Sequence, residues 1–252
     1  MSQKQIITQH QKKYARAINQ AKNQGINSFQ SWFDKSTNIH QSTLRGYWDV
    51  TYHILTPVVC DYLNKPEDKI ALEIGYGGGR LLNAMCSYFK KVIGIDIHDE
   101  QQTVKKFLET RGKSNFQLIK TSGNSIGVKT NSIDFIYSFI VFQHLPTFGV
   151  LTTYLQEVYR CLKLKGIAQL YYGKYSKLNL VDQARNLIVG YKEITNAPVN
   201  HTSLVVHQYR MKKICRNIGF KILDTGTSYK RSPDGYRNKP GGQNYITLLK
   251  QS

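Results

Sequence analysis

Residues Lys69–Leu82 read K-I-A-L-E-I-G-Y-G-G-G-R-L-L, and this segment decides the fold class. The apolar run Ile70–Ile74 is typical of a buried parallel strand. Glycines follow at positions 75, 77, 78 and 79, and apolar side chains then recur at helical spacing as far as Phe89. Nucleotide-binding α/β folds use a strand, a glycine turn and a helix in this order to hold a ligand over the helix N-terminus.

The spacing of the glycines separates two types of nucleotide site. A dinucleotide fingerprint has the pattern G-x-G-x-x-G, and from Gly75 its third glycine would fall on Arg80. That glycine comes one residue early, at Gly79, and Glu73 stands two residues before Gly75. The resulting E-x-G-x-G-x-G pattern resembles the first motif of the class I S-adenosylmethionine-dependent methyltransferases. The resemblance implies that the cofactor lies against Glu73, Gly75, Tyr76, Gly77, Gly79 and Arg80, with Glu73 orienting the turn.

A second apolar run, Lys91–Ile97, ends in an acidic residue. Asp96 lies 21 residues after Gly75, and a carboxylate at the tip of the second strand can accept hydrogen bonds from both ribose hydroxyls. We therefore predict Asp96 and Ile97 as cofactor contacts. The pair of turn and acid does not by itself distinguish NAD from S-adenosylmethionine.

The ends of the next two predicted strands extend the resemblance. Strand 115–120 runs into T-S-G-N-S, where the family usually has Gly-Asp and the acid bonds the adenine amino group. The carbonyl of Asn124 can accept the same bond, so the resemblance implies Gly123, Asn124 and Ser125 as contacts. Strand 132–140 is followed by V-F-Q-H-L-P, a joint similar to that of small-molecule members of the family. It implies that Ser138 and Phe139 lie beside the cofactor and His144 at the mouth of the site.

The remaining pattern predicts an α/β fold with a doubly wound, seven-stranded, mostly parallel sheet and an antiparallel last strand. We expect helices at 148–164 and 207–217 and strands at 167–172, 221–227 and 245–249. Residues 67–252 would form the Rossmann-like methyltransferase domain, in which the aperiodic segment at about 175–207 covers the substrate.

Residues 1–66 are predicted to form a helical cap or lid before this domain. Apolar residues three or four apart indicate a basic amphipathic helix over residues 1–24, which serves either as a lid or as a solvated arm. The following region is rich in aromatic residues, and Tyr47 and Trp48 are candidates to cover the cofactor and bind substrate.

The net charge is unusual: 35 Lys and Arg stand against 16 Asp and Glu, which gives +19. Such a field attracts nucleic acid, an anionic lipid surface or an acidic small substrate, although biased codon usage also produces Lys-rich chains. No apolar run of 18 residues is present and the N-terminus is polar, so we expect a cytoplasmic protein. The four dispersed cysteines predict reduced core thiols.

Methyl transfer to a hydroxyl requires removal of its proton. His144 is the first candidate base from its position and titration range, and a structural role in the turn is the alternative. Tyr172 and His201 are further candidates. No cluster of acids suggests a metal site. The basic loop with Lys230, Arg231 and Arg237 either receives an anionic acceptor or is a solvated hairpin tip.

Three classes of function follow. The first is an S-adenosylmethionine-dependent transferase that methylates oxygen or nitrogen of a small, anionic acceptor such as a sugar, nucleotide-sugar, glycan or metabolite. The second is an RNA methyltransferase that uses the basic surface. The third is a non-catalytic nucleotide-binding module or an NAD-type enzyme. The acceptor, the methylated atom and the oligomeric state are left open.

Overall fold

The computed structural model describes residues 2–230 and 239–251. Its main sheet has seven strands in the described chain, in the order β3-β2-β1-β4-β5-β9-β8. The five strands of the parallel part are β1 Ile70–Ile74, β2 Lys91–Asp96, β3 Phe116–Lys120, β4 Ile133–Ser138 and β5 Leu162–Gly173. The antiparallel pair consists of β8 Phe220–Lys230 and β9 Lys239–Lys250, and β9 is also antiparallel to β5. The predicted fold class is confirmed.

The strand order fixes where a ligand can bind. The chain runs outward from β1 to β2 and β3, and then returns to place β4 on the other side of β1. The helices that follow β1 and β4 therefore leave on opposite sides of the sheet. In open α/β sheets the crevice at this reversal, beyond the carboxyl ends of the strands, is the ligand site.

Helices cover the sheet and precede it. The bounds are α1 Gln3–Asn23, α2 Ile26–Asp34, α3 Ile39–Asp49, α4 Pro57–Tyr62, α5 Arg80–Met85, α6 Gln101–Glu109, α7 Phe148–Cys161, α8 Leu180–Asn186 and α9 Gln208–Ile218. A π-helical turn, Val50–Ile54, continues α3. None of the helices in the described ranges is both long and apolar enough to cross a lipid bilayer.

Several predicted boundaries are wrong, and each has a local cause. Helix α5 ends at Met85 rather than near Phe89, because the N–H groups of Ser87 and Tyr88 bond to carbonyls three residues back instead of four. Helix α7 ends at Cys161 because β5 begins at the next residue and pairs with β4. The segment 175–207 contains α8 and a two-stranded antiparallel sheet of β6 Tyr191–Glu193 and β7 Leu204–Val206, which its irregular sequence did not indicate. Cys60 is exposed, whereas the other three cysteines are buried as expected.

The N-terminal helices are attached to the sheet by a buried ion cluster. Arg80, at the start of α5, pairs with Asp49 of α3, and its Nε lies 3.7 Å from Asp34 Oδ2 of α2. Ser36 and Ser42 also donate to the Asp34 carboxylate, each at 2.5 Å. The two carboxylates balance the charge of the buried guanidinium, and the serine hydroxyls stabilise the remaining negative charge on Asp34. The cluster therefore fixes α2 and α3 against α5.

Candidate active site

A cavity opens at the carboxyl ends of β1, β2 and β4, where the strand order predicts a ligand. Its floor is formed by Glu73–Gly78, Arg80, Leu81, Ile95–Ile97, Thr121, Gly123, Phe139–Val141, His144–Pro146 and Tyr154. Its roof is formed by Ile7, His10, Gln11, Tyr14 and Ile18 of α1, Gln30, Trp32 and Phe33 of α2, and Asn200. The lining is mostly apolar with a few polar groups, as in small-molecule sites.

The glycine turn is held in place through its backbone. The N–H groups of Gly75 and Tyr76 donate to the Ile95 carbonyl at 2.8 and 3.4 Å, which continues the β1–β2 pairing into the turn. The Gly77 N–H donates to Asp96 Oδ2 at 2.8 Å. Gly75 and Gly77 have φ values of 79° and 50°, which favour glycine. These hydrogen bonds and φ angles fix the backbone conformation of the turn, which lines the cavity.

His98 holds the Gly77 peptide from its other side. His98 Nδ1 accepts from the Glu100 N–H at 3.1 Å, so the ring proton is on Nε2. Nε2 donates to the Gly77 carbonyl at 3.1 Å and lies 3.7 Å from Asp96 Oδ2. This contribution was not predicted, because a histidine two residues past the second strand belongs to no motif.

Glu73 is a buried carboxyl on the cavity wall. Its Oε2 accepts a 3.0 Å hydrogen bond from the Tyr137 hydroxyl. Burial raises the pKa of Glu73 to about 8, and Asp96 adds to this increase while the Tyr137 hydrogen bond and Arg80 oppose it. Burial penalises the charged form of a carboxyl, and the charge of Arg80 offsets only part of this penalty. A cationic ligand in the cavity would therefore stabilise the carboxylate.

Two other polar groups on the wall suit a nucleoside ligand. Asp96 lies at the tip of β2, and its Oδ1 accepts from the Ile97 N–H at 2.6 Å, which leaves lone pairs of both oxygens for further donors. The buried Tyr76 hydroxyl has no hydrogen-bond partner in the described chain. Buried polar atoms are rarely left unpaired, so a bound ligand is a suitable partner for this hydroxyl.

His144 lies where the fourth strand's joint predicts it, on the cavity wall. Its Nδ1 is 2.8 Å from the His201 carbonyl. A carbonyl only accepts, so Nδ1 carries the proton and the lone pair of the neutral ring is on Nε2. Gln143 Nε2 lies 3.1 Å from that nitrogen. The tautomer of the neutral His144 ring is therefore fixed, with Nε2 as its hydrogen-bond acceptor.

The roof contributes a second histidine. His10 of α1 lines the cavity, and its ring centroid is 4.6 Å from that of Tyr14, which is 6.5 Å from that of His144. Burial, followed by His144 and Lys13, lowers the pKa of His10 to about 4. His10 is therefore neutral at pH 7. The sequence did not single it out, because a histidine on an amphipathic helix carries no motif.

Comparison with known proteins agrees with this geometry. Residues 72–170 match the family model of a methyltransferase domain. This confirms the predicted resemblance and supports S-adenosylmethionine as the cofactor. No curated protein sequence matches the chain significantly.

The fold resembles those of many solved structures, including two methyltransferases and one cyclase. A SAM-dependent methyltransferase from Methanosarcina mazei is 19% identical with a TM-score of 0.57, over 78% of this chain and 98% of that one. A SAM-dependent methyltransferase from Aquifex aeolicus is 15% identical, with a TM-score of 0.55. The match covers 85% of this chain and 99% of that chain. The [4+2]-cyclase SpnF is 14% identical with a TM-score of 0.58, over 83% and 80%. The fold is therefore shared by proteins named for different reactions, and the site must decide the chemistry.

Most of the residues predicted to bind the methyltransferase cofactor lie on the cavity wall. They are Glu73, Gly75, Tyr76, Gly77, Arg80, Asp96, Ile97, Gly123 and Phe139. Arg80 also anchors the N-terminal helices through Asp34 and Asp49. The wall residues Thr121, Tyr154, Gln30 and Phe33 were not predicted, because none of them belongs to a motif.

Four of the predicted cofactor residues do not line the cavity. A Cβ on Gly79 would lie 2.7 Å from Val104, so this glycine permits contact with α6. Asn124 is exposed and accepts from Ser122 Oγ, and Ser125 Oγ lies 3.5 Å from Glu157. Ser138 is buried and donates to the Ile74 carbonyl. The structure gives these four residues packing or hydrogen-bonding roles.

The other predicted site residues are dispersed. The His201 side chain is exposed, and its carbonyl holds His144. Tyr172 is buried in the core behind the cavity. Tyr47 contacts Ser87 at 3.1 Å, and Trp48 packs on Tyr52 with ring centroids 4.3 Å apart, so neither lines the cavity. Arg231, Arg237 and the side chain of Lys230 lie outside the described residues.

Proposed function

We propose that the protein transfers the methyl group of S-adenosylmethionine to an oxygen or nitrogen of a small acceptor, with His144 as the base. The observation that carries this proposal is that one cavity joins the acidic strand ends, Glu73 and Asp96, to two imidazoles, His10 and His144. The carboxylates suit the charge and hydroxyls of the cofactor. The imidazoles suit the removal of a proton from the acceptor.

The hydrogen-bond donors and acceptors on the cavity wall match those of the cofactor. Asp96 would accept from the ribose hydroxyls, Glu73 would pair with the ammonium group, and Tyr76 would complete its hydroxyl hydrogen bond on the ligand. Cofactor binding would then release the proton that Glu73 retains near pH 7. When bound, S-adenosylmethionine supplies an activated methyl group to the acceptor.

His144 is arranged to receive a proton. The His201 carbonyl fixes the Nδ1–H tautomer, so Nε2 is the basic nitrogen. Gln143 donates to Nε2, and its Oε1 is buried without a partner in the described chain. The proton of an acceptor can reach Nε2 only after the Gln143 amide has turned away from the lone pair, and this rotation would bring Oε1 onto the new N–H. This rotation would satisfy both groups and stabilise the imidazolium ion.

The segments that cover the cavity favour a small acceptor rather than a macromolecular one. Tyr14 of α1 accepts from the Asn200 N–H at 3.3 Å, and Asn200 Nδ2 donates to the Trp32 carbonyl at 3.1 Å. These bonds join α1, α2 and the 194–203 segment over the cavity. Arg80 is the one permanent cation on the described wall, and it is already paired. An anionic acceptor therefore remains a prediction from the net charge and the basic loop.

The test is a screen of radiolabelled methyl transfer with three matched variants. His144→Gln should lower kcat by about 10²–10⁴-fold and His10→Gln should lower it less, while His40→Gln on the exposed face of α3 should have no effect. Binding of S-adenosylmethionine should persist in all three variants. Full activity in His144→Gln would exclude His144 as the base.

RNA methylation is a second candidate because the net charge is +19. A protein that binds RNA through phosphates loses affinity steeply as salt rises. The small-acceptor proposal allows such binding but predicts no methyl transfer to RNA. Labelled methyl groups on RNA at physiological salt, lost in Asp96→Asn, would establish the second candidate instead.

A further inference from the structure

Helix α8 has an inverted pattern of side chains. Its polar residues Asp182, Gln183 and Asn186 are half-buried toward the protein. Asp182 pairs with Lys192 at 2.6 Å, and Gln183 Nε2 donates to the Leu178 carbonyl at 2.8 Å. The solvent-facing residues are Leu180, Val181, Ala184 and Arg185, so this face is mostly apolar with one guanidinium group. A helix on a globular protein ordinarily buries its apolar face, so this face is free for a partner.

The exposed residues form the 180–189 patch, which consists of Leu180, Val181, Leu187, Ile188 and Val189. Leu180 is 82% exposed and Ile188 is 93% exposed. The Tyr209 hydroxyl of α9 lies within hydrogen-bond distance of the carbonyls of Leu187 and Ile188, at 2.9 and 2.8 Å, which brings a half-exposed aromatic ring beside the patch. Contiguous apolar side chains with a polar rim mark interaction surfaces.

The charge around the patch identifies the partner. Residues 174–216 contain eight Lys and Arg against two acids, and both acids are engaged, Asp182 with Lys192 and Glu193 with the Phe148 N–H. Lys213 is exposed one turn after Tyr209 on α9. A second copy of the chain would bring two basic surfaces together, which Coulomb repulsion opposes. RNA bases bind by stacking on aromatic or guanidinium groups. The five side chains of the patch are aliphatic, with Tyr209 and the exposed Arg185 beside them, so the patch suits acyl chains better than bases.

We propose that the 180–189 patch docks the protein on an anionic lipid surface. Leu180, Leu187 and Ile188 would enter the interface between headgroups and acyl chains, Tyr209 would lie at the headgroup level, and the flanking Lys and Arg would contact lipid phosphates. The proposal is independent of the methyl acceptor, because none of these residues lines the cavity.

The test is flotation of the full chain with vesicles. Wild type should bind vesicles of phosphatidylcholine with about 30 mol% phosphatidylglycerol and leave pure phosphatidylcholine vesicles mostly unbound. The double variant Leu187→Ser/Ile188→Ser should bind the anionic vesicles at least about tenfold more weakly. Leu44→Ser, at a leucine 66% exposed on α3, is the matched control and should bind like wild type.

Three results would overturn the proposal. One is no binding of wild type to anionic vesicles. Another is equal binding by wild type and the Leu187→Ser/Ile188→Ser variant, which would assign the binding to charge alone. The third is a wild-type dimer that this variant converts to a monomer in light scattering, which would make the patch a contact between copies. All these substitutions are at exposed positions, so an unchanged melting temperature verifies the fold.

Discussion

The Glu73 carboxyl group makes folding sensitive to pH. Its pKa is raised to about 8 by burial, above the usual 4.5 that it regains on unfolding. Below about pH 4.5 both states hold the proton. Between the two values the unfolded chain releases the proton and the folded chain keeps it, so stability falls as pH rises. We predict that Glu73→Gln removes this loss and stabilises the ligand-free protein at pH 8 by up to about 5 kcal/mol.

Denaturant unfolding at pH 5 and pH 8 measures this effect. The difference in unfolding free energy between the two pH values should shrink in Glu73→Gln. Glu67→Gln is the control, because Glu67 is exposed in the turn before β1. An identical pH dependence in wild type and Glu73→Gln would show that the buried carboxyl is not protonated.

At the scale of single residues, the sequence predicted the positions of the side chains that a motif places at the end of a strand. Glu73, Asp96 and His144 follow buried runs, and parallel strands bring their carboxyl ends to one edge. Asn124 is exposed and does not line the cavity, because spacing within a loop does not say which way a side chain points. His10 and His98 were missed because their roles arise from packing between distant segments.

At the scale of elements, the contact between α3 and α5 depends on one glycine. A Cβ on Gly46 would lie 2.2 Å from the carbonyl oxygen of Arg80, which is backbone and cannot rotate away. We predict that Gly46→Ala forces the helices apart and destabilises the protein by about 1–3 kcal/mol. The displacement would also weaken the pairing between Asp49 and Arg80.

Thermal unfolding with a second glycine variant separates this clash from the intrinsic effect of alanine in a helix. Gly149 lies in the first turn of α7, and its added Cβ would meet the flexible end of Gln3 at 3.3 Å. Gly149→Ala should leave stability unchanged or raise it by about 0.5–1 kcal/mol. Equal effects of the two substitutions would contradict a tight α3–α5 contact.

The strands were predictable as elements and the roof was not. Continuous apolar runs identify β1, β2 and β4 without further information. The aromatic residues between positions 26 and 66 predicted a covering region, but their spacing does not show which of them face the cavity. Phe33 and Gln30 of α2 lie over the glycine turn, within reach of Gly77 and Gly78, whereas Tyr47 faces Ser87.

At the scale of the whole molecule, charge and cavity have separate roles. The net charge of +19 acts over the surface, where it favours any polyanion or anionic membrane. The cavity wall in the described chain combines two acids and two imidazoles with mostly apolar side chains. The surface charge therefore influences which larger partner or surface the protein binds, and the cavity determines which reaction it can perform.

Calorimetric titration with S-adenosylmethionine and with NAD tests the central claim most directly. We predict one bound S-adenosylmethionine per chain, no binding of NAD, and at least about tenfold weaker binding in Asp96→Asn. Asp99→Asn, at an exposed acid that pairs with Lys120 on the surface, should bind like wild type. Binding of NAD in place of S-adenosylmethionine, or equal affinity in wild type and Asp96→Asn, would contradict the claim.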